Sequence, residues 1–213
     1  MISPVEMVYE TIRRRILDQT YVPSQTLVES SLSEEFNVSR NTVRKALMQL
    51  VNEKLVELKA NKSAIVKFLT KDEALHLLEI REVLEGLIVY SASKVITKEE
   101  MKILKDNLIE MKVLLDQGKI LEYSLKNDLI HEVIDNACPN REAISLLESV
   151  RLQLRSYNKR TILLSGRSEE SYKEHIDLVN ALEQGDSELS EKVMRKHMSN
   201  VRKTLMENYE VLF

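Results

Sequence analysis

Apolar residues along this chain recur at two periods, and the change of period divides it. Residues 32 to 68, LSEEFNVSRNTVRKALMQLVNEKLVELKANKSAIVKF, carry both. Leu32 to Phe36 reads as a short helix and Asn37-Val38-Ser39 as a turn. In the helix that follows, Val43, Leu47, Leu50 and Val51 fall at helical spacing, which leaves Arg40, Asn41, Arg44 and Lys45 on the opposite, polar face. Two β-rich runs, Leu55 to Lys59 and Ala64 to Phe68, flank Asn61-Lys62-Ser63 as a hairpin. From Thr70 onward the helical period persists, as in Leu77-Ile80-Leu84-Leu87 and Met101-Leu104-Leu108-Met111-Leu115. Further helices are predicted over 119–137, 141–164, 168–184 and 187–210, with breaks near Gly118, Pro139, Gly166 and Gly185-Asp186. The expected fold is mainly α: a winged helix-turn-helix over residues 1–69, then an antiparallel bundle of six helices over 70–213.

Helix starts are marked independently of period. Ser3-Pro4-Val5-Glu6, Ser31-Leu32-Ser33-Glu34, Thr70-Lys71-Asp72-Glu73 and Thr97-Lys98-Glu99-Glu100 all fit the capping box, and Pro4 suits the first helical position.

Charge sharpens the reading of the first part. The whole chain has a formal charge of −3, yet residues 40–67 hold seven Lys/Arg against Glu53 and Glu57. A basic stripe on one helix and its wing, inside an acidic protein, is the footprint of phosphate contact. An ordinary amphipathic helix would leave the same side chains merely solvated; the order of helix, turn, helix and wing favours DNA. The candidate contacts are Ser39, Arg40, Asn41, Thr42, Arg44 and Lys45 on the reading helix and Lys62 on the wing. In the major groove Arg reads guanine and Asn reads adenine. One reading helix spans only a few base pairs, so a symmetric homodimer on two half-sites is expected.

Other classes are disfavoured. No run approaches 18 apolar residues and the first residues lack a signal-peptide pattern, so no membrane partner is expected. The single cysteine, Cys138, suits a reducing cytoplasm. The four glycines (86, 118, 166 and 185) form no phosphate-cradling loop, which argues against a Walker-type or Rossmann nucleotide site.

Three of the four histidines, His131, His175 and His197, lie on three different predicted helices; His76 stands apart. A lone histidine on an amphipathic helix is usually a core or edge residue. Three converging imidazoles can hold a divalent transition metal, with Asn127 or Asp128, one turn before His131, as a further ligand. Neutral imidazoles suit Zn, Ni or Fe, and a carboxylate or water would also admit Mn. Because imidazole binds metal unprotonated, affinity is expected to fall below about pH 6.5.

These motifs together resemble the GntR family of bacterial transcription regulators, in its FadR-like branch with a C-terminal FCD effector-binding domain. The resemblance runs through IRRRIL (12–17), Pro23 with Leu27, LSEEFNVSRNTVRKAL (32–47), EIREVLE (79–85), NDLIHEVI (127–134), EHIDLVNALEQGDSE (174–188) and MRKH (194–197). It implies a dimeric regulator on a palindromic operator, whose helical domain takes a small organic acid beside a divalent metal held by His131, His175 and His197. The family's aspartate position falls on Asn127. Arg81 matches the opening helix and is the first candidate for an effector carboxylate, with Arg151, Arg155 and Asn158 behind it. Four turn positions that are commonly glycine in the family are Gln19, Ser24, Lys54 and Ser63 here, so local departures from positive φ are expected. The competing readings are a metal-dependent enzyme fused to a DNA-binding module and a metal-free regulator that binds an acyl chain.

Overall fold

A computed structural model of the chain describes residues 2–59 and 63–212, apart from the side chains at 156 and 158–160. It forms two compact units, Met1–Thr70 and Lys71–Phe213.

The first unit is built on three helices and a small sheet. Helix α1 (Pro4–Leu17) starts where Ser3 accepts a hydrogen bond from the Glu6 amide, with Pro4 just inside the helix. Its buried Val8 and Ile12 pack on α3 (Arg40–Asn52), which turns Val43, Ala46, Leu47 and Leu50 inward. Arg13 Nε donates to Glu53 at the end of α3 (3.2 Å), and the Tyr9 hydroxyl bonds the same carboxylate. Helix α2 spans Glu29–Glu35, so it begins three residues before the predicted Leu32, and Ser31 lies inside it rather than capping it. The reason is a strand that the pattern did not reveal. Strand β1 (Thr26–Val28) runs straight into α2. With β2 (Val56–Lys59) and β3 (Ser63–Val66) it makes an antiparallel sheet in the order β1-β3-β2, with Leu27 opposite Ala64 and Val56 opposite Val66. The wing residues Asn61 and Lys62 lie outside the described residues.

The expectation about glycine-poor turns fails here. Gln19, Ser24 and Lys54 adopt φ of +65°, +67° and +58° despite their side chains; only Ser63 stays extended, opening β3. Hydrogen bonds over-determine these turns. After α3 the Lys54 amide donates to Val51 and the Leu55 amide to Leu50, closing a Schellman motif around a lysine. The helical unit makes the same motif after α5 with a glycine, Gly118 at φ +67°.

The second unit consists, among the described residues, of α4 (Lys71–Ala92), α5 (Lys98–Asp116), α6 (Ile120–Ala137), α7 (Arg141–Thr161), α8 (Arg167–Glu183) and α9 (Ser187–Leu212). The Thr97 capping box forms in full at the start of α5. Ile88, Leu104, Met111, Ile130, Leu147, Leu178 and Met194 share one core, which supplies the driving force for holding six polar-faced helices together. Helix α4 meets α9 closely at Gly86, where a Cβ would stand 2.9 Å from Arg195 Cγ. No helix among the described residues is long and apolar enough to cross a membrane.

Candidate DNA-reading face and metal site

Ser39 caps α3, accepting from the Thr42 amide at 3.1 Å. The cap fixes the first turn, from which Arg40, Asn41, Arg44 and Lys45 are exposed and Thr42 is half-buried. Arg44 differs from the others. Its Nε and Nη2 donate to Glu29 Oε1 (2.9 Å) and Oε2 (2.7 Å), a two-pronged pair to a carboxylate at the start of α2. Spacing within α3 cannot reveal that tie, because Glu29 lies fifteen residues upstream.

In the helical unit, polar residues run along two helices one turn apart: Tyr123, Asn127 and His131 on α6, and Arg167, Ser171 and His175 on α8, all buried except the half-buried Asn127. Each repeats at i, i+4 and i+8, so each forms a stripe on one face. The stripes touch where Ser171 Oγ donates to Asn127 Oδ1 at 3.1 Å. His197 joins from α9, and the ring centroids of the three histidines lie 4.6–5.7 Å apart. One ring nitrogen from each lies within 4.8 Å of the others. His76 is exposed and takes no part.

Hydrogen bonds fix the tautomers. His131 Nδ1 donates to Glu85 Oε2 (3.3 Å), His175 Nδ1 to the Ser171 carbonyl (2.7 Å) and His197 Nδ1 to Glu174 Oε2 (2.5 Å). Neither a carboxylate nor a carbonyl can donate, so each Nδ1 carries a proton, and in the neutral ring each Nε2 keeps its lone pair. His175 Nε2 is buried without a hydrogen-bond partner. Burial lowers the pKa of His197 to about 4, against the opposing pull of Glu174, and lowers that of His175 well below the ordinary value.

The carboxylates behind the rings are held in turn. Glu85 on α4 accepts from Arg81 Nε at 2.9 Å and Arg151 Nη2 at 2.8 Å. Burial pushes its carboxyl up, but Arg151, His131 and Arg81 overcome that and hold it well below the usual range. Arg151 also pairs with Asp135. Glu174 accepts from Arg167 Nη2 at 2.8 Å and Asn200 Nδ2 at 2.6 Å; burial pushes its carboxyl up, but His197 and Arg167 outweigh that and bring it to about 2.

The expected site residues are thus sorted. His131, His175, His197 and Asn127 come together. Asp128 is exposed, one position round the helix from the His131 face, and stands outside the cluster. Arg81 and Arg151 are engaged by Glu85, Arg155 is exposed, and the Asn158 side chain lies outside the described residues. The sequence reading passed over Arg167. It is 4% exposed, and its Nη1 has no hydrogen-bond partner among the described residues; Glu170 Oε2 is 3.9 Å away. The Tyr123 hydroxyl, raised to about 12 by burial, lies near Ser171 outside hydrogen-bond geometry. The signal for both was the four-residue stripe leading to each histidine.

A winged helix-turn-helix followed by an all-helical unit with a buried polar centre defines a DNA-binding regulator with a sensing domain. The first part matches the family of bacterial regulatory proteins, gntR family, over residues 4–66, and the second matches the FCD domain over residues 76–200. The chain belongs to the GntR family of bacterial transcription regulators and carries an FCD domain. It is 30% identical to the gluconate operon transcriptional repressor of Bacillus subtilis over 163 residues, 76% of this chain and 65% of that protein. It is 20% identical to the HTH-type transcriptional repressor RspR of Escherichia coli over 200 residues, covering 94% of this chain and 88% of that one. Escherichia coli McbR/YncC has the same fold, with a TM-score of 0.76 at 18% identity over 98% of this chain and all of the other. The matched domains and relatives are those of transcription regulators, not enzymes.

Proposed function

We propose that this regulator binds a palindromic operator as a homodimer and releases or engages it in response to a small organic acid held beside a divalent transition metal. The metal ligands are Nε2 of His131, His175 and His197. The observation that carries this reading is that all three Nδ1 atoms are occupied by acceptors, which leaves three open Nε2 atoms on rings packed against one another. Three neutral imidazoles are a donor set for Zn, Ni or Fe. Asn127 Oδ1 is adjacent and accepts from Ser171, so a weak fourth contact from it competes with that hydrogen bond.

The acid-binding group is assigned to Arg167 rather than Arg81. Arg81 is committed to Glu85, whereas Arg167, although Glu174 holds its Nη2, keeps inside the unit an Nη1 with no hydrogen-bond acceptor among the described residues. A buried guanidinium atom without an acceptor costs free energy, and a ligand carboxylate removes that cost. On DNA, Arg40, Asn41, Thr42 and Lys45 make the contacts of the reading helix, with Ser39 fixing its first turn, Arg44 presented through Glu29 and Lys62 acting from the wing.

Elemental analysis after incubation with Zn, Ni and Mn, together with melting curves, tests the metal site. The expected result is bound metal and a raised melting temperature in the wild type, both lost in His175→Ala. A wild type that stays metal-free and melts unchanged would leave the histidines as structural residues.

A further inference from the structure

Two carboxylates stand directly behind the histidines, yet neither is in the group of atoms able to meet at one ion. Among the described residues that group is His131, His175 and His197 alone. The nearest side chain on the same face of α6, Asn127, is an uncharged amide. A divalent cation there meets three neutral rings inside a buried site, and burying charge without nearby counter-charge is costly. Glu85 sits on His131 Nδ1 and Glu174 on His197 Nδ1, each one ring away from the open Nε2.

We infer that Glu85 and Glu174 are positioning residues that supply the counter-charge for the cation through the imidazoles they hold. The inference rests on the metal-binding reading above. A carboxylate accepting from Nδ1–H draws the ring toward imidazolate character and raises the basicity of Nε2. The two do not contribute equally. Glu85 is shared between two guanidiniums, Arg81 and Arg151, whereas Glu174 faces one, Arg167, and the neutral Asn200. Glu174 is also the closer to its histidine, 2.5 Å against 3.3 Å. Its negative charge is therefore the more available to His197. The third ring, His175, has no carboxylate behind it, only the carbonyl and hydroxyl of Ser171, and relies on the other two for charge.

The alternative is that the carboxylates merely orient the rings, and one substitution separates the two. In Glu174→Gln the amide oxygen still accepts from His197 Nδ1–H, so orientation is kept and charge is lost. Zinc affinity of the full chain, measured by competition with a chromophoric chelator at fixed pH, should fall about 10- to 100-fold. Returning a carboxylate to the cluster in the double variant Glu174→Gln/Asn127→Asp should restore most of that loss. The single variant Asn127→Asp should bind zinc more tightly than wild type, and it decides the matter if Glu174→Gln does not fold. Cobalt(II) absorption of the same proteins reports whether the ligand field changes with the charge. Wild-type zinc affinity in a folded Glu174→Gln, or no gain from Asn127→Asp, overturns the inference while leaving the metal site standing. A wild type that binds no zinc overturns both.

Discussion

Single residues in the winged unit hold backbone conformations that their side chains disfavour. Gln19, Ser24 and Lys54 all have positive φ, and Lys54 sits where a Schellman motif ordinarily takes glycine. A left-handed non-glycine residue costs about 1–2 kcal/mol, against which glycine loses about 0.5–1 kcal/mol more backbone entropy on folding. The net gain from Lys54→Gly or Gln19→Gly is therefore about 0.5–1 kcal/mol each. Urea titration should show a higher midpoint at unchanged slope; a lower midpoint would mean that the side chains contribute contacts worth more than the strain. These positions also show where the sequence misleads. A missing glycine suggested a changed turn, but the hydrogen bonds around each turn keep its shape and the residue accepts the strain.

At the scale of elements, α3 was legible because Val43, Leu47 and Leu50 mark one buried face and Arg40, Asn41, Arg44 and Lys45 the other. Strand β1 was not, since three residues carry too little pattern, and its omission displaced the start of α2. The polar stripes of α6 and α8 were written in the sequence at intervals of four, but attention to the histidines alone left Tyr123 and Arg167 unread. The Glu29–Arg44 pair makes the two arginines of α3 distinguishable. Arg40→Ala should weaken operator binding by about 1–3 kcal/mol if it reads a base, with no change in melting. Arg44→Ala removes its two hydrogen bonds to a nearly buried carboxylate and should also lower the melting temperature of the unit. Gel shifts and melting curves on both proteins check this; wild-type operator affinity in Arg40→Ala would remove it from the reading face.

At the scale of the whole molecule, Glu85 ties α4 to α6 and α7 through partners 46 and 66 residues away, a separation no periodicity reveals. The buried ionisable groups also set the pH response. The folded chain keeps His197 neutral down to about pH 4, while the unfolded chain protonates it near 6.5. Unfolding therefore takes up protons between those values, and stability falls as pH drops through that window, by at most about 1.4 kcal/mol per pH unit per histidine. His175 acts with the same sign. Glu174, lowered to about 2, adds stability that is present above its ordinary value and lost as pH falls from about 4.5 toward 2. Metal retention shifts as well. With His175 and His197 kept unprotonated by burial, a metal-dependent melting shift should still be seen at pH 5.5, below the threshold expected of ordinary histidines; its disappearance near pH 6.5 would contradict the burial argument. The cluster's lack of any formally charged donor has one more consequence. With only neutral donors in direct contact, a bound divalent ion has its charge offset only through the rings that Glu85 and Glu174 hold, and Arg167 Nη1, without a hydrogen-bond acceptor, lies two turns before His175 on the same face of α8. On the proposed reading, the acid is then drawn by ion and arginine together, and the metal-free protein binds it more weakly. Thermodynamic reciprocity requires the acid to tighten the ion by the same factor. On that reading the regulator is a coincidence detector, reporting acid and metal jointly, and titrating either ligand with the other fixed should yield one shared coupling constant.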